Sequence, residues 1–248
     1  MLTTMERKKL IALQGKKERQ KRGLFLVEGV KLVEELLQSR WEVERIFAVE
    51  TWSPRRKTRA PVVRIGDNEL ERVSAMEAPN QVLAVVRIPE AAPAPPPEGL
   101  VLALAGLRDP GNMGTVLRIA DWFGVSRVIC SLDCAERFNP KVVQASMGSI
   151  FRVPVHRQDL AGYLGDCAKH VKIAAACAAG GENLFVLTPR EPAVVILGSE
   201  GQGIPDALMS HVRCRITIPR TGHAESLNVA SAAAVVCAEW KRAALSRM

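Results

Sequence analysis

Residues 196–205 carry the sequence ILGSEGQGIP, and this stretch decides the fold. It begins as an apolar run, which is typical of a strand buried in a parallel sheet. A turn with three glycines, Gly198, Gly201 and Gly203, follows at once. Because glycine has no Cβ atom, such a turn lets a ligand approach the backbone closely. Taken alone, GSEGQG is neither a dinucleotide fingerprint nor a phosphate loop, so a simple tight turn is the plainer interpretation.

The same plan recurs in IPRTGHAESLNVASAAAVV at residues 218–236, where a strand end and a turn lead into a helix of small residues. Ser226 and Asn228 stand at the start of this helix. Short polar side chains at that position cap free N–H groups or face a ligand. The small residues allow close helix packing, and packing within one subunit is the plainer interpretation.

Strands and helices alternate from residue 100 onward. Near-continuous apolar strands between helices predict an α/β fold, with a mostly parallel sheet and helices on both faces. Ligands on such sheets bind beyond the carboxyl ends of the strands, so turns after different strands can converge on one crevice. The predicted strands are residues 100–107, 127–132, 171–178, 193–198 and 214–219, and the predicted helices are residues 111–122, 140–145, 159–170, 205–209 and 227–242.

A break in composition, EAAPAPPPEG at residues 90–99, separates this region from the N-terminal part. Its prolines exclude a helix and favour an extended linker. We expect an N-terminal domain at residues 1–90, a linker at 91–99 and a larger domain at 100–248. In the small domain, residues 25–39 predict a strand followed by an amphipathic helix, and residues 43–50 and 81–88 predict strands, so it is α/β as well.

Composition bounds the class of protein. With 248 residues and 48% hydrophobic content, the chain can bury a sizeable core. No apolar run reaches about 18 residues, and no apolar segment follows the charged N-terminus, so a membrane span and a secretory signal are not expected. A cytoplasmic location is the expectation. The six cysteines form no CxxC pair and the four histidines do not cluster with them, which predicts reduced, mostly buried thiols and no metal site.

Charge favours a polyanionic partner. The formal net charge is +8, and residues 1–22 hold eight Lys or Arg against two acids. Such a basic segment can follow a phosphate backbone, although a solvated helix face has the same composition. The candidate RNA contacts in this segment are Lys8, Lys9, Lys16, Lys17, Arg19, Lys21 and Arg22.

A third motif, PGNMGTVLRIADWFG, occupies residues 110–124. The pattern predicts that Asn112 opens a helix and that Arg118 lies off its apolar stripe, free to point into a cleft. On these residues alone, an N-cap role for Asn112 and a surface position for Arg118 are the plainer interpretations.

Together, the three segments resemble the three motifs of the SpoU/TrmH family of RNA ribose 2′-O-methyltransferases. The first matches at Asn112, Gly114, Leu117, Arg118, Ala120 and Gly124, the second at Gly198, Glu200, Gly201 and Gly203, and the third at Ile218, Pro219, Gly222, Glu225, Ser226, Leu227, Asn228 and Val229. Two positions depart from the pattern: Arg220, where methionine is common, and Ala230, where serine is common. We interpret Arg220 as a further candidate RNA contact.

The resemblance implies methyl transfer from S-adenosylmethionine to a ribose 2′-hydroxyl, in ribosomal RNA rather than tRNA. It also implies a C-terminal trefoil knot, a homodimer formed through the C-terminal domain, no metal, and a small N-terminal substrate-binding domain with a ribosomal-protein-like fold. The implied catalytic residues are Asn112, Arg118, Glu200, Ser226 and Asn228. The implied cofactor-binding residues are Leu197, Gly198, Gly203, Ile218, Pro219 and Leu227.

Three alternatives remain open from the sequence. A tRNA would suit the same chemistry, and the sequence names no target nucleotide. A non-catalytic RNA-binding assembly factor on the same fold would also have a basic N-terminus, although it would not need the complete polar set. A nucleotide-dependent dehydrogenase is disfavoured, because the first strand leads into RDPGNMG rather than a dinucleotide fingerprint.

Overall fold

The computed structural model describes residues 2–76 and 78–245. The helices in this part of the chain are α1 (Thr4–Ala12), α2 (Lys16–Arg22), α3 (Val30–Gln38), α4 (Asp67–Glu71), α5 (Pro110–Trp122), α6 (Pro140–Ala145), α7 (Leu160–Cys167), α8 (Asp206–Met209) and α9 (Val229–Leu245). The strands are β1 (Leu24–Glu28), β2 (Val43–Ala48), β3 (Val62–Arg64), β4 (Val82–Arg87), β5 (Leu100–Ala105), β6 (Arg127–Cys130), β7 (Val155–Arg157), β8 (Lys172–Ala176), β9 (Glu182–Asn183), β10 (Ala193–Gly198) and β11 (Cys214–Thr217).

The chain divides into two compact units. The first consists of residues 1–90 and 136–152, and the second of residues 91–135 and 153–248. Residues 136–152 were expected in the C-terminal domain, whereas the structure packs them within the first unit. The linker belongs to the second unit, where the buried Arg127 side chain donates to the Pro95 and Pro96 carbonyl oxygens at 2.6 and 3.0 Å.

The first unit is built on a four-stranded sheet in the order β1-β4-β2-β3. Its β1–β4 and β2–β4 pairs are antiparallel, and its β2–β3 pair is parallel. Helix α3 packs on β1 and β4. The predicted strand followed by a helix is confirmed by β1 and α3. Gly29, with φ +93°, makes the turn between them.

Aromatic packing accounts for the place of residues 136–152. The Phe138 ring lies 4.7 Å from that of Phe25 and 6.0 Å from that of Trp41, and the Phe151 ring lies 5.5 Å from that of Trp41. Large aromatic side chains contribute much of the apolar area that a small core buries. The segment therefore completes a core that residues 1–90 share.

The second unit holds a seven-stranded sheet in the order β7-β6-β5-β10-β8-β11-β9, and every pair of neighbours is parallel. This confirms the predicted parallel α/β sheet. Helices α7 and α8 contribute to a core cluster on one face. Helices α5 and α9 pack against each other and against β6 and β10, and their buried residues lie outside that cluster, on the opposite face.

The strand order positions the motifs. Helix α5 follows β5, the glycine-rich turn follows β10, and the last turn and α9 follow β11. Because all strands run in the same direction, these three connections leave the sheet at its carboxyl edge. The trefoil knot remains a prediction.

Strands β3, β7 and β9 and helices α1, α2 and α4 were not predicted from the sequence. For the three strands the reason is their length, because two or three residues show no periodicity. Within the described residues, no helix combines the length and apolar character that a bilayer crossing requires.

Candidate active site

A cavity of about 630 Å³ opens at the carboxyl edge of the second unit's sheet. We call it the first cavity. Its walls come from the turn after β10, the turn after β11, the start of α9 and the end of β8. All six residues that the family resemblance assigned to the cofactor line it: Leu197, Gly198, Gly203, Ile218, Pro219 and Leu227.

The glycine-rich turn closes on itself to form one wall. Ser199 N donates to the Gly203 carbonyl oxygen at 3.1 Å, and Gly203 N donates to the Ser199 carbonyl oxygen at 2.9 Å. A Cβ atom at position 198 would lie 2.6 Å from Ile204 N and closer still to the Gly203 backbone. Only glycine fits there, so its presence reflects packing of the turn as well as ligand approach.

Three side chains, one from each motif, meet beside this cavity. Asn112 Nδ2 and Asn228 Nδ2 both donate to Glu200 Oε1, at 3.0 and 2.7 Å. Asn228 Nδ2 also lies 3.0 Å from Asn112 Oδ1. We call this set the amide–carboxylate network. Asn112 lies 88 positions before Glu200 and Asn228 lies 28 positions after it, so only the fold brings them together.

Asn228 has a second role as the N-cap of α9. Its Oδ1 accepts from Ala230 N at 2.9 Å and from Ser231 N at 3.3 Å. The predicted capping role is therefore observed, and one side chain both starts the helix and holds Glu200.

Asn112 differs from its expected position. Helix α5 begins at Pro110, and Asp109 is the N-cap, since its Oδ1 accepts from Asn112 N at 2.7 Å. The Asn112 side chain is thus released from capping and is free to bind Glu200.

Arg118 and Ser226 lie outside the network. Ser226 is exposed and lines the first cavity. Arg118 is exposed on α5 and lines neither the first cavity nor the smaller second cavity described below. The partners of the Glu200 carboxylate are the two asparagines, Asn112 and Asn228.

The predicted RNA contacts divide into exposed and buried residues. Lys8, Lys9, Lys16, Lys17, Lys21 and Arg22 are exposed in the first unit. Arg19 is a correction, because it is only 1% exposed. Its guanidinium donates to the Leu13 and Gln14 carbonyl oxygens and pairs with Glu136, so it holds the first unit together and is not available to RNA. Arg220 is exposed and lines the first cavity, where it donates to the Ala224 carbonyl oxygen at 3.0 Å.

A second cavity, of about 270 Å³, adjoins the first. Ser199 and Glu200 line both cavities, so they form a shared wall. The remaining lining comes from the loop after β5 and the tip of the glycine-rich turn, including Arg108 and Gln202. These two side chains were not predicted from the sequence. Their position directly after strand ends was the available signal.

Two buried thiols of the second unit have pKa values shifted in opposite directions. The pKa of Cys134 falls to about 6, because hydrogen bonds from the side chains of Cys130 and Ser131 and from the Leu107 amide outweigh burial. Burial raises the pKa of Cys237 to about 12. All six cysteines are free, and four of them are buried, as predicted. Among the described residues, no group of three or more His, Cys, Asp or Glu side chains is arranged to hold a metal ion.

Comparison with known proteins identifies the family. Residues 99–238 match the model of the SpoU rRNA Methylase family, and residues 6–84 match that of the MRM3-like substrate binding domain. The chain belongs to the SpoU rRNA methylase family. The resemblance seen in the three motifs is thereby confirmed.

Relatives in this family match nearly the whole chain. It is 35% identical to the 23S rRNA (guanosine(2553)-2′-O)-methyltransferase RlmP of Bacillus subtilis, over 90% of this chain and 91% of that protein. It is 27% identical to the 23S rRNA (uridine(2479)-2′-O)-methyltransferase of Streptomyces viridochromogenes, over 94% of this chain and 88% of that protein.

Among solved structures, the AdoMet-bound rRNA methyltransferase of Sinorhizobium meliloti has a TM-score of 0.86 at 26% identity, covering 98% of this chain and 96% of that one. That SpoU-like protein was solved with S-adenosylmethionine bound, which confirms the predicted cofactor at the level of the family.

Proposed function

We propose that this protein transfers a methyl group from S-adenosylmethionine to a ribose 2′-hydroxyl of ribosomal RNA. The observation that carries the proposal is the amide–carboxylate network, in which Asn112, Glu200 and Asn228 of three separate motifs meet beside the first cavity. Similarity over nine-tenths of the chain to an rRNA 2′-O-methyltransferase supports it.

The first cavity fits the cofactor on its own chemistry. Leu197, Ile218 and Leu227 offer apolar contacts for an adenine ring, and the glycine-rich turn offers backbone without side chains. The Glu200 carboxylate at the shared wall suits a positive sulfonium. Bound there, S-adenosylmethionine would supply a methyl group that its sulfonium already activates.

The chain's own contribution is chiefly positioning. Two asparagine side chains hold Glu200 Oε1, and Asn228 is in turn fixed at the start of α9. This arrangement presents the Glu200 carboxylate to both cavities without a large entropic cost on binding. We assign the network the task of orienting the ribose hydroxyl.

Arg118 receives an electrostatic role. A guanidinium is cationic and offers no lone pair to accept a proton, so Arg118 is not suited to act as a base. Its exposed side chain is suited to hold an RNA phosphate or to stabilise the oxygen as negative charge develops on it.

Two features favour ribosomal RNA over tRNA. The two curated relatives described above are named as 23S rRNA methyltransferases. The first unit also matches a substrate-binding domain and exposes six basic side chains on or beside α1 and α2. These side chains give the first unit a means of holding a phosphate backbone.

We further propose a homodimer formed through the second unit. Trp122 ends α5 with 84% of its surface exposed, and Leu245 ends α9 with 69% exposed. Exposed apolar side chains of this size favour coverage by a partner, and a second copy is the proposed one. Light scattering of the purified protein would measure the oligomeric state.

The RNA substrate makes the cytoplasm the proposed location.

The deciding experiment measures transfer of labelled methyl from S-adenosylmethionine to unmodified ribosomal RNA and, in parallel, to unmodified tRNA. Nuclease digestion then locates the label. Label on a ribose 2′-oxygen of ribosomal RNA is the expected result. Label only on tRNA would reassign the substrate. No transfer and no cofactor binding would refute the enzyme and leave an RNA-binding scaffold.

A further inference from the structure

The second cavity is a built recess with no assigned ligand. Its polar side chains include Arg108, Asn112 and Gln202, and its wall against the first cavity is formed by Ser199 and Glu200. A group seated in the second cavity therefore faces the same carboxylate that borders the cofactor space.

Arg108 is held at the rim by the loop that follows β6. Its Nη2 lies 3.5 Å from Asp133 Oδ2, and 70% of its side chain remains exposed. Ser131 donates to Asp133 Oδ1 at 2.5 Å. This hydrogen bond is the largest cause of the lowered pKa of Asp133, and the Asp133 backbone amide and Arg108 lower it further. Only part of the arginine fork is thus engaged, and its other N–H donors face solvent.

The backbone immediately before Arg108 is fixed by two hydrogen bonds to the loop that follows β6. Gly106 N donates to Ser131 Oγ at 2.9 Å, and Ala135 N donates to the Leu107 carbonyl oxygen at 2.8 Å. Gly106 has φ +70°, and a Cβ atom there would lie 3.2 Å from Asp133 Oδ2. The arginine therefore projects from a loop whose conformation is set before any ligand arrives.

The two carboxylates that line the cavity, Asp109 and Glu200, and the nearby Asp133 all accept hydrogen bonds from the protein. Asp109 Oδ1 accepts from the backbone of Asn112, and Glu200 Oε1 accepts from two asparagine amides. Asp133 is paired with Arg108. Among the residues that line the second cavity, Arg108 is the cationic side chain and therefore the group that can meet an incoming anion.

We propose that the second cavity receives the ribose-phosphate of the RNA substrate and that Arg108 binds the phosphate next to the target ribose. The inference rests on the proposed function. The 2′-hydroxyl and the 3′-phosphate are carried by neighbouring carbons of one ribose. With the cofactor in the first cavity, a ribose whose 2′-hydroxyl reaches the shared wall lies in the second cavity, together with its 3′-phosphate. Arginine matches a phosphate with two parallel N–H donors, which lysine does not.

The test compares Arg108→Ala and Arg108→Lys with the wild-type protein. Arg213→Ala is the matched control, because Arg213 is exposed and precedes β11 at the opposite edge of the sheet. The probe is an unmodified transcript of bacterial 23S ribosomal RNA. Three quantities are measured: kcat/KM for methyl transfer, the Kd for S-adenosylmethionine by calorimetry, and the dependence of RNA affinity on salt.

For Arg108→Ala we expect kcat/KM to fall about 10- to 100-fold, as for loss of one charge-assisted hydrogen-bonded contact. The cofactor Kd should stay unchanged, and the slope of log affinity against log salt should shrink by about 0.7 to 0.9. Arg108→Lys should keep the salt slope and recover only part of kcat/KM. Arg213→Ala should match the wild type in all three.

Three results would overturn the inference. If Arg108→Ala behaves like Arg213→Ala while the wild type transfers methyl, Arg108 does not bind the substrate and the proposed function stands. If Arg108→Ala weakens cofactor binding, the residue serves the first cavity instead. If the wild type transfers no methyl to any RNA, the proposed function fails and the inference fails with it. Thermal unfolding of each variant establishes that it is folded.

Discussion

Replacing Asn228 by aspartate isolates the amide–carboxylate network from the helix that it caps. Aspartate is as good an N-cap as asparagine, so the bonds to Ala230 N and Ser231 N are retained. The substitution removes the Nδ2 donor, which contacts Glu200 Oε1 at 2.7 Å and Asn112 Oδ1 at 3.0 Å. It also places a second carboxylate beside Glu200.

The expected cost follows from these contacts. Two lost hydrogen bonds cost about 1 to 3 kcal/mol together. The two carboxylates are solvent-exposed, so their repulsion at a separation of about 4 Å adds about 1 kcal/mol. If the site must keep its present geometry for transfer, about 2 to 4 kcal/mol corresponds to a fall of about 30- to 1,000-fold in kcat/KM.

The assay measures methyl transfer to ribosomal RNA from about pH 5.5 to about pH 8.5, in steps of about half a pH unit. Thermal unfolding is measured at the same pH values. Activity of the Asn228→Asp variant should recover partly at low pH, because two adjacent carboxylates can share a proton. Asn139→Asp is the control, since Asn139 caps α6 in the first unit and should tolerate the change. Wild-type transfer by Asn228→Asp at pH 8 would refute the role of the network.

Three further predictions concern other parts of the second unit. Gly198→Ala should destabilise the turn after β10 by about 1 to 3 kcal/mol and weaken cofactor binding, whereas Gly201→Ala, with no atom within 4 Å of its added Cβ, should do neither in calorimetry and thermal unfolding. Arg118→Ala should keep the wild-type cofactor Kd and lose methyl transfer by at least about 100-fold, and near-wild-type turnover would contradict its electrostatic role. Because the pKa of Cys134 is lowered to about 6 from 9.0, its thiolate contributes stability that is full above pH 9 and is lost as the pH falls through 6. Urea midpoints should therefore rise between these pH values in the wild type more steeply than in Cys134→Ala, and parallel curves would contradict the shift.

Much of the second unit could be predicted from local patterns. Strands β5 and β10 are apolar runs bounded by turn residues, and α9 begins directly after a capping asparagine. These signals arise from neighbours a few positions apart, so the sequence displays them directly. The six residues expected to contact the cofactor could be named for the same reason, because they lie at or after the ends of such strands.

The burial of Arg19 shows where local reasoning stops. By composition it belongs to a basic, exposed segment, yet it pairs with Glu136, 117 positions away, and lies in the first unit's core. A count of charges carries no information about such a partner. The assignment of residues 136–152 to the first unit depends on the same long-range packing.

By itself, the sequence determined the alternation of strands and helices, the glycine-rich turns and the three motifs that indicate the family. Only the tertiary structure decided that Asn112 and Asn228 both bind Glu200 and that Arg108 stands over a second cavity. The physical reason is strand order: β10 lies beside β5, although 87 residues separate the end of β5 from the start of β10. Which strand ends become neighbours depends on how the whole sheet is buried, and no local pattern contains that information.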